Sequence, residues 1–172
     1  KDGLKIYTTI DSRMQQYAEE AVEEHFKELQ SKFFKSIKGK KTAPFASNTS
    51  EEAIQTSLKR AMKQTDRYRK AKKNGLTNEE IDKEFNTPID MMVFSYDGMI
   101  DTTMSPMDSI RYYKAFARCG VMSINPANGH VKAYVGGPNF SHFQYDMVNA
   151  GRRQVGSTVK PYLYSLAMSE GY

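Results

Sequence analysis

The chain has 172 residues, of which 39% are apolar and 26% charged, with a formal net charge of +5 and a pI of about 9.1. That suits one folded domain or two small ones, permits contact with anionic surfaces without demanding it, and leaves no run near the ~18 apolar residues of a membrane span. One cysteine, Cys119, excludes an internal disulfide. The start at Lys1-Asp2-Gly3 shows no signal-peptide pattern, and both ends read as cuts, so the chain is expected to be a piece of a longer protein.

In chain order, Leu4 to Thr9 alternates apolar and polar residues, which predicts a short strand. Asp11 or Ser12 then caps a helix, with Gln15 completing a Ser-x-x-Gln capping box. Met14, Tyr17, Ala18, Ala21, Val22, Phe26, Leu29 and Phe33 recur at helical spacing and predict its buried face. Lys35 to Asn48 reads as a loop. Ser50, Glu51 and Glu52 open a second helix, turned inward by Ile54, Leu58, Ala61 and Met62, which runs through a cationic stretch, Lys59 to Lys73, and stops at Asn74-Gly75. Thr77 and Glu80 form a capping box for a short helix that faces inward through Ile81 and Phe85 and ends at Pro88.

Met91 to Ser95 and Met99 to Met104 predict a hairpin around Asp97-Gly98. Ser105-Pro106-Met107-Asp108 is a helix start, followed by Ile110, Tyr113 and Ala117 and an end near Gly120. Val121 to Asn125 and His130 to Val135 predict a second hairpin around Pro126-Ala127-Asn128-Gly129. Gly136-Gly137-Pro138 breaks it, and a loop with Phe140, Phe143 and Tyr145 leads to a last helix from Ser157, with Val159, Leu163, Leu166 and Ala167 on its packed side. No internal repeat is visible.

Chemistry concentrates at Gly156-Ser157-Thr158-Val159-Lys160. With 14 serines and 17 lysines in the chain, chance alone gives about 1.4 Ser-x-x-Lys matches, so the setting matters more than the motif. On a helix, Lys160 lies one turn from Ser157 on the same face. A serine hydroxyl needs a base, and a lysine is one only when neutral, a form favoured by burial and by the positive end of a helix. Gly156 leaves room for a substrate carbonyl, and backbone N–H groups at the helix start could hold an oxyanion. The plainer reading is a serine helix cap followed by a solvated lysine.

The surroundings favour the chemical reading. Gly120-Val121-Met122-Ser123-Ile124-Asn125-Pro126-Ala127-Asn128-Gly129-His130-Val131-Lys132-Ala133-Tyr134-Val135-Gly136-Gly137 resembles the strand pair before the nucleophile in class A penicillin-binding proteins, and Phe140 to Gln154 resembles the loop after it. Arg153-Gln154-Val155-Gly156-Ser157-Thr158-Val159-Lys160-Pro161 resembles the family's Arg-Gln-Pro-Gly-Ser-x-x-Lys-Pro stretch, and Ile6-Tyr7-Thr8-Thr9-Ile10-Asp11 with Gln15 resembles the start of its transpeptidase domain.

The resemblance implies a DD-transpeptidase that cross-links peptidoglycan stem peptides and is acylated by β-lactams. Ser157 would be the nucleophile and Lys160 its base, with Gly156 and Thr158 beside the substrate. It implies no cofactor. Proteins of this class usually carry an N-terminal membrane anchor and a glycosyltransferase domain, which puts the site on the outer face of the cytoplasmic membrane. Val155 departs from the usual proline and Met147-Val148 from Arg-Ala. The family's Ser-x-Asn and Lys-Thr-Gly motifs read as absent here and are expected beyond Tyr172, since Lys41-Thr42-Ala43 lacks the glycine and lies in the wrong place, so this piece is expected to be inactive alone.

The expected fold is α/β (α+β), a truncated transpeptidase or serine β-lactamase-like domain of antiparallel strands with surrounding helices and the Ser157 helix buried in the middle. Residues 1–34 would start that domain, 35–119 form a mostly helical insertion, and 120–172 hold the core hairpin and nucleophile helix. Cut strands would leave a bare sheet edge that invites dimerisation, swapping or partial disorder. A serine β-lactamase-like hydrolase shares Ser-x-x-Lys but neither the insertion nor the Thr-x-Asp start. A module of another class, binding envelope proteins through 35–119 without catalysis, is the alternative.

The run Lys59 to Lys73 holds eight basic residues and one acidic, with little aromatic interleaving beyond Tyr68, and reads as a solvated face; no nucleic acid is expected. His25, His130 and His142 are scattered without partners at ligand spacing, so no metal site is expected. Tyr134, Tyr145, Tyr162 and Tyr164 read as core and rim.

Overall fold

Asp11 begins the first helix, α1 (Ser12–Ile37), and its carboxylate accepts from the N–H groups of Arg13 and Met14. The computed structural model describes residues 3–172; Lys1 and Asp2, at the head of the 1–34 segment, lie outside the described residues. Asp11 alone is the cap. The expected Ser12/Gln15 box does not form, because Gln15 is used elsewhere: its Nε2 donates to the Tyr134 carbonyl (3.0 Å) and its Oε1 accepts the Tyr134 N–H (2.7 Å). Leu4 to Thr9 forms no strand either; Leu4, Ile6 and Tyr7 are 80–89% exposed. Only the end of that segment docks, through Thr9 Oγ1 to the Val131 carbonyl and the Asp11 N–H to the Lys132 carbonyl.

The buried stripe of α1 is also rotated from the predicted one. Val22 and Gln30 are buried and Ala18, Phe26, Phe33 and Phe34 half-buried, while Met14, Tyr17, Ala21 and Leu29 are exposed. A buried polar residue survives there because it is satisfied: Gln30 donates to the Ala115 carbonyl and accepts the Ala117 N–H, both at 2.9 Å.

The middle of the chain forms its own core. α2 (Glu51–Gln64) is capped by Ser50 and buries Ile54, Leu58 and Met62. It does not continue to Lys73. Thr65 takes extended backbone, donates its hydroxyl to the Met62 carbonyl and accepts the Tyr68 N–H, so it ends α2 and caps α3 (Asp66–Lys73). The stop at Asn74-Gly75 is as predicted, with Gly75 at φ +83° and the Leu76 N–H closing on the Ala71 carbonyl. The Thr77/Glu80 capping box forms and starts α4 (Asn78–Asn86). Met62, Ala71, Ile81 and Phe85 meet in a dry cluster lined by Met107 and Ile110 of α5 (Pro106–Lys114), the helix predicted from Ser105-Pro106. α5 ends at Lys114, short of Gly120.

Both predicted hairpins form: β1 (Ile89–Val93) pairs antiparallel with β2 (Ile100–Met104), and β3 (Val121–Ile124) with β4 (Val131–Val135), the second carrying a bulge at Ser123/Ile124. They remain two separate two-stranded sheets, so the single sheet expected from sequence is not present among the described residues. β4 has α1 and residues 9–15 along its outer side, held by the Thr9, Asp11 and Gln15 bonds. The architecture is mixed α and β. An aromatic cluster joins its parts: Phe94 after β1, Phe116 after α5 and Phe143 of the loop beyond β4 are buried together, with Phe34 of α1 against them.

Candidate active site

Ser157 sits on a short 3-10 turn, Gly156–Val159, that runs directly into α6 (Lys160–Ser169). Gly156 makes the turn possible with φ +51°, and a Cβ at that position would meet nothing within 4 Å. The Lys160 N–H donates to the Ser157 carbonyl, so serine and lysine share one turn as their spacing predicts. Thr158 folds back on Val155, donating both its N–H and its hydroxyl to that carbonyl. Ser157 caps nothing: no side chain caps either helical start, and Pro161 occupies the first turn of α6. Its hydroxyl makes no hydrogen bond to Lys160 or to any other group among the described residues.

The burial expected for this helix is absent. Every residue from Arg152 to Leu166 is exposed, including Ser157 and Lys160, and only Ala167 on α6 is half-buried. Tyr162, Leu163, Tyr164 and Leu166 project at 56–78% exposure, so nothing covers the face that Val159, Leu163 and Leu166 were expected to pack. The reason is topological: the hairpins form two separate two-stranded sheets, and among the described residues no third strand pairs with either. Tyr162 and Tyr164 are therefore rim, whereas Tyr134 is half-buried.

What fixes the approach to the serine is a turn at Asp146–Gly151, and this is where sequence reading fell short. Asp146 Oδ1 accepts the N–H groups of Val148 (2.9 Å) and Asn149 (3.0 Å), while Oδ2 accepts the Tyr134 hydroxyl (2.6 Å). Those bonds hold the Asp146 carboxyl below its ordinary range, the Tyr134 hydroxyl first among them, and raise the Tyr134 phenol in return. The Met147 N–H donates to the Gly136 carbonyl at 2.7 Å. Glycines let the chain lie this close: a Cβ on Gly151 would stand 2.5 Å from the Met147 carbonyl oxygen, and one on Gly120 2.8 Å from Val148. The signal that could have found it is an aspartate two and three residues before amides it can cap, between glycines.

A Ser-x-Asn triplet does occur, Ser123-Ile124-Asn125, but it lies on β3 and its turn, where Asn125 Oδ1 accepts the Ala127 N–H. His142 lies tilted against Phe94, with ring centres 4.6 Å apart, and His25 stands edge-on to Phe26. No group of three or more metal-ligating side chains exists among the described residues, and no helix among them is long and apolar enough to cross a membrane. In the cationic run, Arg67 pairs with Glu84, Arg69 with Asp66, and Lys72 donates to Asn78.

A family model described as the penicillin-binding protein middle domain matches residues 40–117, the region of α2 to α5. Penicillin-binding protein 1A of Vibrio cholerae serotype O1 is 44% identical over 55 residues, 32% of this chain and 7% of that protein. Penicillin-binding protein 1A of Escherichia coli strain K12 is 47% identical over 51 residues, 30% of this chain and 6% of that protein. Penicillin-binding protein 1A of Aquifex aeolicus strain VF5 aligns along 99% of this chain at 27% identity, which is 23% of its own length. The chain thus spans under a quarter of these relatives, and no solved structure matches it. By the middle-domain match over residues 40–117 and by these relatives, the chain is similar to penicillin-binding proteins.

Proposed function

We propose that residues 120–172 carry the nucleophile of a peptidoglycan DD-transpeptidase, within the N-terminal part of its penicillin-binding domain. The observation that supports this best is the Gly156–Lys160 turn, which puts an uncapped serine and a lysine on one turn directly after the anchored Asp146–Gly151 segment. In this reading Ser157 Oγ attacks the carbonyl of a stem peptide, or of a β-lactam, and forms an ester. Lys160 takes the serine proton and passes it to the departing amine. Gly156 and Thr158 flank the acyl group. Lys160 is exposed and its side chain stands in water. The expected location is the outer face of the cytoplasmic membrane.

The test is intact-mass detection of penicillin acylation on this chain and on a form extended beyond Tyr172, each with Ser157→Ala. An adduct on the extended form, lost in Ser157→Ala, is expected, with none on this chain alone. A well-folded extended form that takes no adduct would overturn the reading.

A second reading concerns α2 to α5. Their separate core, Met62, Ala71, Ile81 and Phe85, favours a self-contained unit that binds an envelope partner without taking part in catalysis. A pull-down of soluble envelope proteins with residues 35–119, compared with the whole chain, tests it; identical captures without this segment would sink it.

A further inference from the structure

Tyr134 of β4 is held at both ends. At its backbone, Gln15 of α1 takes the N–H (2.7 Å) and the carbonyl (3.0 Å). At its ring, the hydroxyl donates to Asp146 Oδ2 at 2.6 Å. One residue therefore joins the first helix to the turn ahead of Ser157.

That turn is closed from several sides. The other carboxylate oxygen of Asp146 accepts the Val148 and Asn149 amides, and the Asp146 carbonyl accepts the Ala150 N–H at 3.0 Å. The Tyr145 hydroxyl donates to the Ala150 carbonyl at 2.7 Å. Gly136 makes room for the carboxylate, since a Cβ there would stand 3.1 Å from Oδ1. Beyond Gly151 the anchoring ends. Among the described residues, Arg152, Arg153 and Gln154 make no hydrogen bond to another part of the chain, and Val155 bonds only to Thr158. The 146–151 turn is the last fixed point before the nucleophile, and its exit direction sets where the next five residues carry Ser157.

We propose that Tyr134 and Asp146 are positioning residues for Ser157, with Gln15 holding Tyr134 in place from α1. Neither touches substrate; both act through the backbone of the 146–151 turn. The consequence for acyl transfer rests on the transpeptidase reading, whereas the anchoring of 152–160 does not. A misplacement of about 1 Å at a reacting group costs on the order of a hundredfold in rate, so a modest drift of this turn is enough to matter.

Three variants test it. Tyr134→Phe removes one hydroxyl, and Asp146→Leu keeps the shape and loses every side-chain bond. Asp146→Asn keeps the network, because its oxygen can accept the two amides and its NH₂ can donate to the Tyr134 hydroxyl. Amide relaxation NMR on this chain should show lower order at 152–160 in Tyr134→Phe and Asp146→Leu, restored in Asp146→Asn. On a form extended beyond Tyr172, the maximal rate of penicillin acylation should fall about tenfold to a hundredfold in the first two. The half-saturating penicillin concentration should stay unchanged, and Asp146→Asn should recover the rate. Unchanged order at 152–160, an unchanged acylation rate in Asp146→Leu, or Asp146→Asn behaving like Asp146→Leu would overturn the proposal. If Asp146→Leu loses the native spectrum, Tyr134→Phe decides in its place. An extended wild-type form that takes no adduct defeats the transpeptidase reading, and the relaxation measurement then decides the anchoring by itself.

Discussion

Replacing Gln30 by leucine tests how the middle unit is tied to α1. Gln30 is 2% exposed, and its amide holds two backbone groups from the end of α5, the Ala115 carbonyl and the Ala117 N–H. Leucine fills nearly the same volume, so little cavity term enters; the cost is two backbone groups stripped of their partner. A buried group left unsatisfied costs ~1–3 kcal/mol. Ala115 is buried and bears that in full, whereas half-buried Ala117 recovers part of it from water. The expected loss is about 2–4 kcal/mol, or roughly 5–15 °C in melting temperature for a chain of this size. Urea unfolding followed by circular dichroism measures it, with Gln30→Glu as a control that keeps the acceptor for Ala117. A Gln30→Leu chain within about 1 kcal/mol of wild type would show that these bonds contribute nothing net and would refute the reasoning.

Four further outcomes are expected. Phe85→Ala, at a side chain 1% exposed in the α2–α5 core, should cost about 3–5 kcal/mol in the same assay. Gly151→Ala must push the backbone off the Met147 carbonyl and should cost about 1–3 kcal/mol, with amide shifts concentrated in 146–151. Thr65→Ala removes the cap of α3 and the bond to Met62 and should cost about 1 kcal/mol, read as loss of amide protection at Tyr68. Asp146 gives a pH signature. Its carboxyl is depressed in the folded chain, so its contribution is present above its ordinary value of 3.8 and is lost as the pH falls through the lower folded value. Asp146→Asn should therefore flatten the acid limb of the stability profile, and an unchanged limb would count against the Tyr134–Asp146 bond.

Elements read correctly from sequence are those closed by neighbours in sequence. Thr77 with Glu80, Ser105 with Pro106, and the two hairpin turns complete their own bonds within a few residues. The errors need distant partners. Leu4 to Thr9 has a strand pattern but no strand to pair with, and Gln15 left its capping box for Tyr134 across the chain. The buried stripe of α1 turns on Gln30, a polar residue no apolar pattern would select. Thr65 was hidden because the cationic run around it looks continuously helical. At the candidate site, spacing alone carried the Ser157–Lys160 relation, since one turn sets it; its environment was not legible, because that depends on what packs over α6.

The Gln15 amide has a wider effect. A primary amide offers the same donor and acceptor as a peptide unit, so one side chain stands in for a neighbouring strand along β4. An intruding strand would have to evict Gln15, Asp11 and Thr9 together. Among the described residues, β3 is the flank of this hairpin left without such a cover. Two copies joined through β3 would leave no bare flank between them, so any self-association through this sheet is expected to stop at a pair.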